Sequence, residues 1–427
     1  MVNKQNLFSR LRRGTVEAFI LRVAGVGLLF LMHSLLGRKM GADGYGVFSY
    51  GLAMASVLAA IVPLGWSTAL MRFVAQYVEK REWALLHGIV RRAHQVTLAI
   101  SILVAFCLFV ATYLLSLSAE LLLSLRFAAV LTPLLAFVGL RSKAFQGLQR
   151  VKSSIILEEL ILPFIVIVGV AILTLTTTIS IFSILALYVS ASLIVLFSGS
   201  IWLWRSIPTE SRVVQPRFQT RAWMHVAGPM VFGNLGQIVL NRVGILILGL
   251  LVSTQAVGLY SAANRIANLN IFALAAVNTV APQMLAAAYH GGRLEQFKTI
   301  MRGSIVWATL GALPLFLVML IWPRQLLSFF GTEFSEGALL LQILAIGQFI
   351  NAMTGPAGFG LLMIGRERSF AWIMGIIATG NVVGHLIAIP LAGALGAAVV
   401  TATSVILQNS LMFIEVQRIY KLEGVRQ

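Results

Sequence analysis

Long apolar runs, following one another from residue 15 to residue 416, decide what this chain can fold into. A helix needs about 20 apolar residues to cross the hydrocarbon of a bilayer. Twelve stretches are that long: 15–36, 46–76, 93–115, 120–140, 154–174, 180–204, 224–252, 258–288, 300–322, 336–364, 370–390 and 393–416. Without water to bond the backbone, such runs must cross as helices. The chain is 59% hydrophobic and 11% charged, with a mean hydropathy of +0.92. A soluble domain carries about 25% charged residues, so a water-soluble globule is excluded. The expected class is an all-α integral membrane protein.

The net charge of +18 invites a nucleic-acid reading, but the distribution of the charges removes it. With the N-terminus inside, 25 of the 32 Lys and Arg fall in segments on the cytoplasmic side. Only Arg38, Lys39 and Arg324 fall on the opposite side, and four lie within spans. Basic residues are retained on the cytoplasmic face, so topology accounts for the charge and both termini are expected to be cytoplasmic. A missed span would scramble the asymmetry, which therefore also tests the count.

The chain carries an internal echo. Leu36-Gly37 recurs as Leu248-Gly249, and Gly46-Val47-Phe48-Ser49 as Gly258-Leu259-Tyr260-Ser261, both at an offset of 212; Gly147 and Arg150 echo in Gly365 and Arg368 at 218. A near-constant offset of half the length indicates a duplicated unit. The Pro-containing segment Arg205 to Arg221 separates the copies. The domains read as 1–204, a cytoplasmic linker 205–223, and 224–427. Each half holds six spans, so the repeats are parallel: two six-helix bundles related by a pseudo-two-fold axis along the membrane normal, as in many transporters.

Ionisable residues at bilayer depth are expensive and mark function by default. Arg242 on span seven and Arg265 on span eight lie at similar depth, with no acid nearby in sequence. Asn234, Gln237 and Asn241 repeat at helical spacing on span seven, as do Asn264 and Asn268 on span eight. These residues read either as a cationic, amide-rich wall of a hydrated cavity or as interhelical hydrogen bonds that hold a bundle together. Arg22 and Arg126 are possible counterparts in the first half, or they snorkel to an interface. Glu17 lies about 140° round the helix from Arg22, a poor intrahelical pair, and is either a proton or cation site or an interfacial residue. Glu158 and Glu159 are expected to pair with Arg150 and Lys152. His33 and His385 are isolated and read as residues satisfied within the bundle. Eight prolines inside spans, with 37 glycines in the chain, imply kinked and closely packed helices.

The absences are informative too. No Gly-Lys dipeptide occurs, so there is no P-loop; Asp43 is the one Asp and Cys107 the one Cys. Paired intramembrane carboxylates and metal-ligand clusters are missing, and the loops are too short to house chemistry. The chain does not read as an enzyme, and it calls for no cofactor or metal.

The order of motifs resembles a known family. Leu36-Gly37, Tyr45-Gly46-Val47-Phe48-Ser49, Ala69-Leu70-Met71-Arg72-Phe73-Val74-Ala75 and Gln146-Gly147 stand in the first half. Asn241-Arg242-Val243, Val257-Gly258-Leu259-Tyr260 and Ala281-Pro282 stand in the second. Over nearly its whole length the chain is similar to the polysaccharide flippases of the multidrug, oligosaccharidyl-lipid and polysaccharide exporter superfamily. The resemblance implies a bacterial inner-membrane protein that moves an undecaprenyl-pyrophosphate-linked oligosaccharide outwards, for O-antigen, capsule or exopolysaccharide assembly. Its partners would be that lipid-linked oligosaccharide, membrane lipids and other polysaccharide-assembly membrane proteins, with no nucleic acid. Members often have an Asp shortly after the Asn-Arg of span seven. Gly244 stands here instead, so a role for an acid at that point, cation coupling included, is not carried over. Two rivals are a cation-coupled drug exporter of the same superfamily, which would favour carboxylates in its cavity, and a polymerase or ligase, which would show a large outer loop.

Overall fold

The computed structural model describes residues 4–176, 180–210 and 214–424, the side chains of 4–16, 18, 19, 229–235, 237, 239 and 419–424 excepted. Among the described residues, nine helical stretches are long and apolar enough to cross a membrane. Two of them each hold two passes. Tyr45 Oη lies 3.2 Å from His33 Nδ1, although twelve residues of straight helix would separate them by about 18 Å. The chain therefore reverses at Gly41, whose φ of 69° is a left-handed value open to glycine. Asn381 Nδ2 likewise donates to Ser404 Oγ at 2.9 Å, where a straight helix would put about 34 Å; the reversal is at Gly393, with φ 55°. With the shorter apolar helix Leu240–Leu251, the passes number twelve, as the apolar runs require.

The passes are α1 (4–40), α2 (42–61, continued by Trp66–Glu79), α3 (Trp83–Leu114), α4 (Ala119–Gly147), α5 (Val151–Thr176) and α6 (Ile181–Ser206). The later ones are α7 (Thr220–Leu251), α8 (Thr254–His290), α9 (Leu294–Ile321), α10 (Thr332–Met363), α11 (367–392) and α12 (394–424). Apolar side chains such as Phe106, Phe197, Trp307 and Trp372 stand on the outside, the surface that lipid as solvent demands.

Several passes are discontinuous, and the packing shows that these breaks are kinks and not turns. α2 is interrupted at 62–65, where Leu64 and Gly65 take positive φ. Before the break Phe48 packs on Phe127 of α4, with ring centroids 5.9 Å apart. Beyond it Leu70 and Val74 pack with Ala144 and Phe145 at the far end of α4. Contacts advance in the same direction along both helices, so α2 and α4 run parallel through the interruption. The second unit repeats the arrangement. α8 is broken by the 3-10 turn Asn268–Asn270 and α10 at Thr354–Pro356. Asn268 meets Gln348 at that level, and Leu285 and Ala288 meet Ala357 and Leu361 further on. Ser49 and Ser261, 212 positions apart, are both buried with hydroxyls that lack a partner, which gives the repeat a structural signature.

The chain divides into two compact units, Met1–Leu235 and Gly236–Gln427, with the boundary inside α7. The segment ahead of α7 is strapped to the start of α3. Arg217 N donates to the Ala84 carbonyl at 2.9 Å, His87 Nδ1 to that of Val214 at 3.2 Å, and Arg92 lies 4.8 Å over the Phe218 ring. Trp223 is buried beside Trp66, and its Nε1 donates to Tyr77 Oη at 2.8 Å. Gly88 makes this possible, since a Cβ there would overlap the Arg217 carbonyl. Gly88→Val is therefore expected to lift the strap and cost about 1–3 kcal/mol, read as faster limited proteolysis near Arg217 and a lower melting temperature. Unchanged cleavage would show that the strap does not depend on this approach.

Candidate functional site

α8 gathers the polar groups that the apolar pattern of the chain cannot explain. Asn264, Arg265 and Asn268 stand three and four positions apart and so share one flank of the helix. Gln348 Nε2 on α10 donates to Asn268 Oδ1 at 2.9 Å, and Asn351 Nδ2 donates to Gln348 Oε1 at 3.2 Å. These three amides form a ladder between the broken part of α8 and the broken part of α10. Along the same helix, Arg265 Nε, Asn270 Oδ1 and Asn278 Oδ1 are enclosed without a hydrogen-bond partner. Asn270 Nδ2 reaches only the Met319 sulfur, at 3.4 Å. Among the described residues no acid is in ion-pair contact with Arg265. An unmet buried polar atom costs about 1–3 kcal/mol, so three on one helix are a concentration that packing alone does not favour. Discontinuous helices at mid-membrane are where transporters place substrate groups.

The other residues marked by the sequence are spread more widely. Arg242 is half-buried and Asn241 exposed on α7; the side chains of Asn234 and Gln237 lie outside the described residues. Arg126 is exposed on α4, 5.6 Å over the ring of Tyr113, and Arg22 is exposed on α1 within electrostatic reach of Glu159. Glu17 forms an ion pair with Lys152, both side chains being nearly half-exposed at 42% and 46%. The expected pairing of Glu158 and Glu159 with Arg150 and Lys152 is not what the structure shows. Glu158 accepts from Ser154 and lies near Arg141, Glu159 lies near Arg22, and Arg150 donates to Ser206. The π-helical segment Ile156–Ile161 shifts the phase of these side chains, which a regular helix would have sent elsewhere. An exposed pair such as Glu17–Lys152 contributes about 0–1 kcal/mol, so Glu17→Gln is expected to leave the melting temperature within about 1 °C. A shift of several degrees would give the pair a structural role that its exposure does not suggest.

Residues 11–285 match the model of a family described as polysaccharide biosynthesis protein. The chain belongs to that family. Residues 229–388 also match the MatE model. A probable low-salt glycan biosynthesis flippase of Haloferax volcanii is 23% identical over 399 residues, covering 92% of this chain and 81% of that protein. Among solved structures, the lipid II flippase MurJ in an inward closed conformation aligns with a TM-score of 0.72 and 14% identity, over 94% of this chain and 87% of MurJ. An inward-facing multidrug resistance transporter of the MATE family, of the MOP superfamily, aligns at 0.69 and 14% identity, over 95% and 98%. These two likenesses show a shared fold.

This member of the polysaccharide biosynthesis protein family is a multi-pass membrane protein. Its second unit also holds a polar network that the sequence pattern left undrawn. Tyr260 Oη on α8 and Thr401 Oγ1 on α12 are 2.8 Å apart, and Thr401 is 3.3 Å from His385 Nε2 on α11. His385 Nδ1 donates to the Asn381 carbonyl at 2.7 Å. Gly244 of α7 closes directly over the imidazole: a Cβ there would stand 2.6 Å from His385 Nε2. Gly244 is thus the residue that admits His385.

Proposed function

We propose that this protein moves an undecaprenyl-pyrophosphate-linked oligosaccharide repeat unit outwards across the bacterial inner membrane, by alternating access, for O-antigen, capsule or exopolysaccharide assembly. Membership of the polysaccharide biosynthesis protein family supports the substrate class, and the flank of α8 supports the chemistry. The observation that carries the proposal is Arg265, a half-buried arginine with an enclosed, unpartnered Nε and no acid in contact among the described residues. Guanidinium groups give pyrophosphate oxygens fixed charge and paired donors. Arg265 and Arg242 would hold the anionic head while Asn264, Asn268, Gln348 and Asn351 meet sugar hydroxyls and the isoprenoid stays in lipid. Both termini would face the cytoplasm, which a C-terminal fluorescent-protein fusion and a silent alkaline phosphatase fusion would test.

The deciding experiment is mass spectrometry of lipid extracts from a strain depleted of the protein and from its complemented parent. The expected result is accumulation of a pyrophosphate-linked oligosaccharide that an outside-acting glycosidase cannot reach. An intermediate open to the glycosidase would point to a polymerase defect, and no accumulation in a strain without a second flippase would overturn the proposal. The MatE match and the multidrug transporter fold favour a second reading, export of drugs. Cationic drugs call for carboxylates, whereas the α8 flank offers arginine and amides; a drug-susceptibility panel separates the two.

A further inference from the structure

Between α3, α4 and α6 of the first unit lies a cavity of about 420 Å³, and Arg141 is in its wall. The sequence count placed Arg141 among the cytoplasmic loop cations, but the structure buries it, leaving 1% exposed. Its Nη1 donates to the backbone carbonyls of Val195 and Leu196 on α6 at 2.6 and 2.9 Å. Gly199, where a Cβ would overlap the guanidinium, opens that approach. Nε and Nη2 have no partner. Glu158 is near enough to act on Arg141 through its field but does not use these two donors. A buried guanidinium with two unmet N–H groups is costly, and the residue that carries it lines this cavity.

The remaining wall identifies the acceptor. His94 Nδ1 donates to the Val90 carbonyl at 2.8 Å, which leaves Nε2 as the nitrogen free of that bond, and its ring lies 5.8 Å from that of Phe137. Phe197 and Trp204 of α6 are exposed on the outer side. Arg91 and Arg92 stand near this level on α3, Lys143 on α4 and Arg205 on α6. This is the belt that the charge count assigns to the cytoplasmic leaflet, the leaflet that carries anionic lipids. An aromatic, lipid-exposed rim around a buried arginine suits an amphiphile with a phosphate at one end and hydrocarbon at the other.

We propose that this cavity binds the phosphodiester head of an anionic phospholipid of the cytoplasmic leaflet, with Arg141 as its charged ligand and the hydrocarbon lying along Phe197 and Trp204. The site is separate from the α8 flank and does not depend on what that flank transports.

The test uses the full-length protein, delipidated in detergent, with thermal unfolding and native mass spectrometry read against added lipid. Dioleoyl phosphatidylglycerol is expected to raise the melting temperature saturably. Phosphatidylcholine, whose choline cation offsets the charge of the same phosphodiester, and inorganic phosphate, which lacks the hydrocarbon, should do so at least about tenfold less effectively. Arg141→Gln should abolish the preference. Because that variant also loses bonds to α6, Ser200→Trp serves as the second variant, filling the cavity while leaving the Arg141 donors in place; it is expected to weaken phosphatidylglycerol binding about tenfold as well. Equal response to both lipids, full response to free phosphate, or unaltered binding by Ser200→Trp would each overturn the assignment.

Discussion

Replacing both Arg242 and Arg265 by alanine is expected to abolish transport while the protein still inserts and folds. A hydrogen bond to a charged group contributes about 1.5–3 kcal/mol, so the loss of two guanidinium partners for a pyrophosphate predicts roughly a 100-fold to 10,000-fold drop in transport. At Arg265 folding should survive, because its Nε is unpartnered and no acid contacts it among the described residues, so that truncation strands no opposite charge; Arg242→Ala is measured singly as well, for its own effect on protein amount. Arg265→Lys keeps the charge and loses the planar fork, and should fall between wild type and Arg265→Ala. Asn268→Ala is a useful contrast. It cuts the bond to Gln348 and is expected to lower stability as well as activity, since Gln348 Nε2 then loses its acceptor. The readouts are surface glycan, accumulated lipid-linked intermediate and protein amount in the membrane. Wild-type surface glycan in the double arginine variant at normal abundance would remove the α8 flank from the mechanism.

The extent to which the sequence foretold this arrangement follows from the solvent. Lipid forces each pass to be about 20 apolar residues long, so the number of passes and the apolar edges were readable, even where Gly41 and Gly393 reverse the chain with almost no loop. The interruptions at 62–65 and 354–356 fall on Pro63 and Pro356, two of the prolines that imply kinks, whereas the one at 268–270 holds no proline and was not readable. Only the paired contacts along α4 and α10 show that the chain keeps its direction through them.

Side-chain direction was the second thing hidden. Hydropathy places a residue at a depth but does not give the rotation of its helix. Arg126 was therefore open between a counterpart of Arg265 and a snorkelling residue, and it lies over Tyr113 on an exposed face. Arg141 looked like a loop cation because it sits at the apolar edge of α4, and Gly199 across the interface is what lets it be buried. Gln348 and Asn351 went unmarked, although two amides three positions apart in an apolar run are a readable signal. Lining them up with Asn268 needed the knowledge that α8 and α10 run parallel.

The contact between Gly244 and His385 yields the second large effect. His385 is held on two sides, by the Asn381 carbonyl at 2.7 Å and Thr401 at 3.3 Å, and Thr401 is itself fixed by Tyr260. The imidazole has no easy retreat when α7 gains volume. A Cβ at 244 would stand 2.6 Å from Nε2 and 3.2 Å from Cδ2, closer than side-chain carbons approach. Gly244→Ala should therefore push α7 away from α11, at a cost of about 1–3 kcal/mol, visible as a lower melting temperature in detergent. His385→Ala alone should also destabilise, by stranding Thr401 and opening a void. If the steric contact is the cause, the two changes are not additive: the alanine at 244 fills part of the space that His385 leaves. The double variant should then be more stable than the sum of the single losses predicts, with a coupling of about 1–3 kcal/mol. Strict additivity would mean that α7 already stands clear of the imidazole, and the Gly244–His385 contact would have to be given up.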